Sequence, residues 1–381
     1  MKLSKRLDQF PEYIFSRLAK RVADVEKSAG RKVLSFGAGS PDFPPSQIYL
    51  NKLKAYISEP GSHLYPGYGA IPQLAEGLQH WYNKRFNVHL GADELYPLLG
   101  SRDGVSHLPL ALCDKGDEIL VPDPGYPAFT GPALMIGVKP IYYNLLVTNN
   151  FTVDYRELEK KITSKTKYIW INFPSNPTGQ VTDLSQLAPL VALARKHGIW
   201  LIYDNAYSEI TFDAFVAPSI LQIEGAKDVA VEIGSFSKMF SFAGFRMGWI
   251  VGNKEVIGAL AKIKSQMDSG MTRPLQQLGA YALTHPDDLW HKEMIASYQK
   301  RRDSIIEHLK RIGLSAHKTQ GSLYLWVEIP KNYPDSETYA FELLEKRQIL
   351  VTPGSAFGEN GKRYVRVSIC VNIDRIGEYF V

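Results

Sequence analysis

Cysteine is scarce: the 381-residue chain holds two, Cys113 and Cys370. With no short spacing between them they form neither a disulfide framework nor a thiolate metal site, and they fit a reducing compartment as small packed residues. No stretch approaches the roughly 20 apolar residues of a membrane span. The opening MKLSKRLDQFPEYIF carries early positive charge but lacks the apolar centre of a secretory signal. The nine histidines show no metal-ligand spacing. No run of five or six basic residues occurs, and 44 Lys and Arg against 39 Asp and Glu leave a net charge of +5, too mild to indicate nucleic acid. Gly37-Ala38-Gly39 lacks the third glycine of a dinucleotide fingerprint, and no βαβ unit follows it. The expectation is a cytoplasmic globular protein without metal, membrane or nucleic-acid partner. A chain this long buries roughly three quarters of its unfolded surface and divides readily into two or three domains.

What is present is a pattern. Short β-rich runs alternate with helical patterns between about residues 95 and 252. They are 95–99, 118–122, 140–146, 168–173, 200–203, 229–233 and 247–251. KYIWINF and IWLIYD are nearly continuous hydrophobics, as in strands buried on both faces. Parallel strands need crossovers, so intervening helices imply a mostly parallel seven-stranded sheet with helices on both faces, an α/β fold. Asp183 and Gln186 have N-cap spacing ahead of Leu184, Leu187, Val191 and Ala194, and Gly198 is a natural stop. A long helix is predicted over about 287–312, ending at Gly313. Beyond it, GSLYLWVEI and RYVRVSI alternate like half-exposed strands. Residues 1–46 and 285–381 are read as a smaller α+β domain, and residues 47–284 as the large domain.

Open parallel sheets bind ligands beyond the carboxyl ends of their strands. The predicted strands are followed by Gly100-Ser101-Arg102, Asp123-Pro124-Gly125-Tyr126, Pro174-Ser175-Asn176-Pro177-Thr178-Gly179, Asp204-Asn205-Ala206-Tyr207 and Gly234-Ser235-Phe236-Ser237-Lys238. Lys238 sits eight residues before Arg246. A lysine nucleophile must lose a proton that it holds to about pH 10.4, and desolvation or a nearby cation such as Arg246 helps it do so. Ser235, Ser237 and the forked guanidinium of Arg246 suit a phosphate dianion, and a turn opening a helix at Ser101 and Arg102 adds backbone donors. Asp204, at a strand end, can pair with a protonated ring nitrogen. Tyr207 and Asn176 could reach a ring oxygen, and Tyr126 offers a stacking face.

Taken together these residues resemble the fold-type-I enzymes of pyridoxal 5′-phosphate (PLP), specifically the class I/II aminotransferases, over essentially the whole chain. SFSKMFSFAGFRMGW is similar to the family's lysine motif, NFPSNPTG to its Asn-Pro-Thr-Gly loop and YDNAY to its aspartate–tyrosine strand. The resemblance implies that Lys238 forms a Schiff base with PLP and that Asp204 pairs with the pyridine nitrogen. Asn176 and Tyr207 would bond the ring oxygen. Ser235, Ser237, Arg246 and the backbone at Ser101 and Arg102 would hold the phosphate. Tyr65, in YPGYGAIPQL, would reach the phosphate of the neighbouring subunit in a homodimer with shared active sites. Arg366, in YVRVS, and the backbone of Gly39, in GSPDF, would grip the substrate α-carboxylate. The implied reaction is ping-pong transfer of an amino group between an L-amino acid and a 2-oxo acid, with Lys238 moving the Cα proton.

PEYIFSRL, GSRDGVSHLPLAL, VPDPGYPAF, YDNAYSEI and KSQMDSG resemble the LL-diaminopimelate aminotransferases and their alanine- or aspartate-using relatives. Arg102 departs from them, standing where many carry lysine. Tyr13, Arg17 and Arg102 are candidates for reading a distal carboxylate. Two alternatives use the same residues: a PLP lyase of β-elimination type, which would not accumulate pyridoxamine phosphate, and a ligand-sensing module, which would need a DNA-binding segment before residue 35. Ser235–Lys238 also has the Ser-x-x-Lys spacing of penicillin-binding enzymes, but their Lys-Thr-Gly element is missing.

Overall fold

All seven apolar runs become strands of one sheet in the computed structural model, which describes residues 3–9, 14–374 and 376–380. The strands are β1 (Leu95–Leu98), β2 (Glu118–Asp123), β3 (Lys139–Asn144), β4 (Thr166–Asn172), β5 (Trp200–Asp204), β6 (Ala230–Ser235) and β7 (Gly248–Gly252). Their order is β1-β7-β6-β5-β4-β2-β3. β7 runs antiparallel to both neighbours, and the other four pairs are parallel.

The unbroken apolar runs are explained by two separate cores, one on each face. Along β4, Tyr168 and Trp170 enter one core with Val105, Leu108 and Phe129. Ile169 and Ile171 enter the other with Leu187, Leu201 and Tyr203. Trp170 is fully buried and stacks on Phe129 at 4.5 Å between centroids. Truncating such a ring typically costs about 3–5 kcal/mol.

The predicted helix boundaries follow from their caps. Asp183 accepts a hydrogen bond from the Gln186 amide at 3.0 Å, opening helix Leu184–His197, and Gly198 closes it at φ 63°. Helix Asp288–Arg311 starts where Asp287 accepts from the Trp290 amide, and Gly313 at φ 77° follows it. No helix among the described residues is long and apolar enough to cross a membrane.

The carboxyl-terminal strands differ from expectation. β8 (Tyr324–Glu328), β9 (Thr352–Pro353) and β10 (Tyr364–Ser368) form an antiparallel sheet in the order β9-β10-β8. They are not half-exposed: of β8 and β10, Glu328 alone is exposed and Tyr364 half-buried. The alternation has another cause. Leu325, Val327, Val365 and Val367 form an apolar face, while the opposite, more polar face carries the buried Trp326 together with Tyr324 and Arg366, which line a cavity at the large sheet's rim instead of facing open water. The early chain is woven into the same unit. Leu34–Ser35 pairs with Ile349–Leu350, and the Ser368 amide donates to Phe36 O at 2.9 Å. Helix Ile14–Ala29 lies against helix Ser336–Arg347 through ion pairs Arg17–Glu337 and Arg21–Glu345, which are surface pairs of small energetic weight.

Candidate active site

A cavity of about 530 Å³ opens where the parallel strands end. The antiparallel β7 matters here. Because it runs backwards, its beginning lies on the rim where its neighbours finish. Arg246, just before β7, therefore comes beside the Gly100-Ser101 turn, just after β1. Gly248 makes the approach possible, since a Cβ there would lie 2.7 Å from the Ser101 amide nitrogen. Gly100, at φ 86°, precedes helix Ser101–Leu112, and a Cβ on it would sit 2.5 Å from Arg246 Nη2. A guanidinium and a helix N-terminus thus share one corner, the arrangement that suits a phosphate.

Ser235 ends β6 and caps a single helical turn, Phe236–Met239, by accepting from the Ser237 amide at 3.2 Å. That turn projects Lys238 into the cavity, where Nζ donates to Gly39 O at 2.9 Å and lies 5.6 Å from the Tyr207 ring centroid. Gly39 reaches this point because the 34–39 segment is threaded between β10 and the 349–350 pair.

Asp204 ends β5 and is 6% exposed. Its carboxylate accepts one hydrogen bond, from the Ala206 amide at 3.2 Å, and makes no ion pair among the described residues. Burial pushes its carboxyl up to about 6, against the opposing pull of the Ala206 amide and the Lys238 charge. A buried carboxylate that lacks a cation fits a protonated pyridine nitrogen, and the phosphate corner fits the other end of PLP. The residues present therefore suit that cofactor.

The stability of the cofactor-free protein should therefore depend on pH through this group. The folded value near 6 lies above the ordinary 3.8, so the Asp204 contribution to stability is fully present below about pH 4 and is lost as pH rises through about 6. Its ceiling is about 3 kcal/mol. Relative to Asp204→Asn, the unsubstituted apoprotein should lose melting temperature between pH 4 and pH 7. An unchanged difference across that range contradicts the assignment.

Arg366, on β10, is 5% exposed. Its Nη1 donates to Asn176 Oδ1 at 3.0 Å and its Nη2 to Gly37 O at 2.8 Å. The guanidinium lies between the rings of Tyr324 and Phe357, 4.2 and 4.7 Å from their centroids. No carboxylate among the described residues pairs with it, and its Nε is buried without a hydrogen-bond partner. Tyr207 completes the wall. Burial, and then its neighbour Tyr324, hold its phenol well above the ordinary range, so it keeps its proton.

Of the residues singled out in the sequence, Gly39, Ser101, Arg102, Tyr126, Asn176, Asp204, Tyr207, Ser235, Ser237, Lys238, Arg246 and Arg366 all line this cavity. Tyr65 stands outside it and is 88% exposed. Arg17 is exposed and pairs with Glu337 at 2.7 Å, although Leu18 and Ala19 of the same helix do line the cavity. Tyr13 lies outside the described residues. Sequence reasoning missed Asn172 and Tyr324. Asn172 opens the NFPSNPTG motif and ties two loops together, accepting from the Asn176 amide and donating to Asp204 O, both at 2.9 Å. Tyr324 gave no signal beyond strand alternation.

The model of the family "Aminotransferase class I and II" matches residues 31–378. The chain is 38% identical over 372 residues to an LL-diaminopimelate aminotransferase of Dehalococcoides mccartyi, covering 97% of this chain and 95% of the relative. Among solved structures it is similar to an aminotransferase from Staphylococcus aureus, with TM-score 0.89 and 32% identity over 99% of this chain and 97% of the other. Substrate-bound BacF from Bacillus subtilis aligns with TM-score 0.92 and 31% identity over 100% and 96% of the two chains.

Proposed function

The chain belongs to the class I and II aminotransferases, and from that premise we propose how its residues divide the work and which substrate they take. The protein is a PLP-dependent aminotransferase that moves an amino group between an L-amino acid and a 2-oxo acid. When bound, PLP supplies an electron-withdrawing ring that stabilises negative charge at the substrate Cα and carries the amino group between half-reactions.

Ser235, Ser237, Arg246 and the backbone at Ser101 and Arg102 hold the cofactor's phosphate. Asp204 keeps the ring nitrogen protonated. Tyr126 would stack on the ring, and Asn176 and Tyr207 would bond its oxygen. Lys238 holds the cofactor covalently and later acts as base, its Nζ taking the proton from the substrate Cα. Arg366 and Gly39 bind the α-carboxylate and turn the Cα–H bond toward that amine. Fixing this geometry supplies several kcal/mol of the barrier reduction.

The observation that carries these roles is a buried guanidinium without a carboxylate partner, in the same cavity as a lysine amine and a buried Asp. A cation left in that state awaits an anion from the substrate. Truncation to Arg366→Ala should raise KM about 10- to 100-fold for every amino acid accepted, the range for hydrogen bonds to a charged group. An effect confined to one side chain would argue against α-carboxylate binding.

The substrate we propose is LL-diaminopimelate, with aspartate and alanine as the alternatives, exchanging with 2-oxoglutarate. Identity of 34–38% to enzymes named for the first of these supports it. Leu18, Ala19, Ser35 and Leu350, which also line the cavity, offer mostly apolar surface to a methylene chain, and the exposed Arg102 offers a charge to a distal group. The test is a half-reaction panel in which holoenzyme meets single amino acids and the cofactor's absorbance band is followed. A fast response selective for LL-diaminopimelate is expected. Selectivity for an aromatic amino acid would overturn the substrate reading.

The exposed Tyr65, with Leu64 and Tyr68 beside it in sequence, supports a homodimer in which Tyr65 reaches the neighbouring subunit's phosphate. Unpaired Cys113 and Cys370 support a cytoplasmic setting.

A further inference from the structure

Tyr324 lies 4% exposed at the start of β8, and its hydroxyl is 3.1 Å from the hydroxyl of Tyr207. No other hydrogen-bond partner of the Tyr324 hydroxyl occurs among the described residues. The two rings meet edge to face, 5.9 Å apart at 74°. A Cβ at Gly39 would overlap the Tyr324 hydroxyl, so the glycine makes room for it. The guanidinium of Arg366 lies over the Tyr324 ring, 4.2 Å from its centroid.

Two hydroxyls at this distance share one proton in the bond between them, so one donates and the other accepts. A fixed cation against the face of a phenol draws electron density from it, which favours that phenol as the donor. Arg366 lies over Tyr324. Tyr207 then accepts, and its own proton is left for a different acceptor inside the cavity. In a chain of hydroxyls each donation strengthens the next.

We propose that Tyr324 is a positioning residue: its phenol donates to Tyr207 and so orients the Tyr207 proton toward the oxygen of the cofactor ring. This rests on the reading of Tyr207 as a donor to that oxygen. It also gives Tyr324 a second contact, because the same ring supports the guanidinium that takes the substrate carboxylate. One side chain thereby touches both the cofactor-binding and the substrate-binding arms of the site.

The experiment uses four holoenzymes: the unsubstituted protein, Tyr324→Phe, Tyr207→Phe and the double variant. The pH midpoint of the cofactor's visible absorbance transition is measured for each, with KM for one amino acid. A proton donated to the ring oxygen stabilises negative charge there, so losing it moves the midpoint to higher pH. Tyr324→Phe should raise the midpoint by about 0.5–1 pH unit, the worth of one weakened hydrogen bond. Tyr207→Phe should raise it at least as far, and the double variant no farther than Tyr207→Phe alone, because one residue acts through the other. KM should change less than about twofold in Tyr324→Phe, which keeps its ring against Arg366. An unmoved midpoint in Tyr324→Phe beside a raised one in Tyr207→Phe overturns the proposal alone, as do shifts that add in the double variant. An unmoved midpoint in Tyr207→Phe overturns the role of Tyr207 itself, and this inference with it.

Discussion

Lys238→Ala loses turnover by at least about 10³-fold while the protein still takes up PLP without a covalent bond. The size of the loss comes from what else lines the cavity. The remaining cationic side chains there are Arg102, Arg246 and Arg366. Guanidinium groups keep their protons and cannot serve as the base. Burial keeps Tyr207 protonated, and Asp204, at the end of β5, is the group we assign to the ring nitrogen. Nothing left in the cavity can take the Cα proton in place of Nζ. The residues we assign to the phosphate, Ser101, Ser235, Ser237 and Arg246, make no hydrogen bond to the lysine amine, which donates to Gly39 O, so cofactor affinity survives in part. Steady-state rates with an equilibrium dialysis of PLP check both halves. Turnover within tenfold of the unsubstituted enzyme would refute the assignment.

Asp204→Asn produces the second large effect, a loss of about 10²–10³ in kcat, the usual scale for removing one preorganised charged partner. The amide matches the carboxylate in shape and keeps an oxygen for the Ala206 amide. It does not hold a proton on the ring nitrogen. Folding should be unharmed: burying a neutral amide costs less than burying a charge without a cation, so the apoprotein should be at least as stable as the unsubstituted one near pH 7. Slow turnover together with retained stability separates an electronic role from a structural one. A near-normal rate would remove Asp204 from the mechanism.

Much of this site was legible in the chain because strand ends are legible. Continuous apolar runs such as KYIWINF can be buried on both faces only between helices, and the residues after them then share one rim. Asp204, Ser235 and Lys238 were placed that way, as were the caps at Asp183 and Gly198. Strand order was not legible. β7 lies between β1 and β6 through pairing with residues far away in sequence, and local pattern carries no record of the partner. Yet this reversed strand brings Arg246 to Ser101. The carboxyl-terminal strands misled for a related reason. Alternation reports two unlike environments, and here the more polar one is the site, not the solvent. Tyr324 went unnoticed on that account. Arg17 and Leu18 are neighbours on one helix, and a side chain's direction there is set by packing against the helix Ser336–Arg347, which the sequence of either helix alone does not reveal.

Every other role in the site depends on where the cofactor is joined to the chain. Borohydride reduction of the holoenzyme, followed by mapping of the labelled peptide, tests this directly. A single label on Lys238, within SFSKMFSFAGFRMGW, is the predicted result; no label, or a label on any other lysine, contradicts the account.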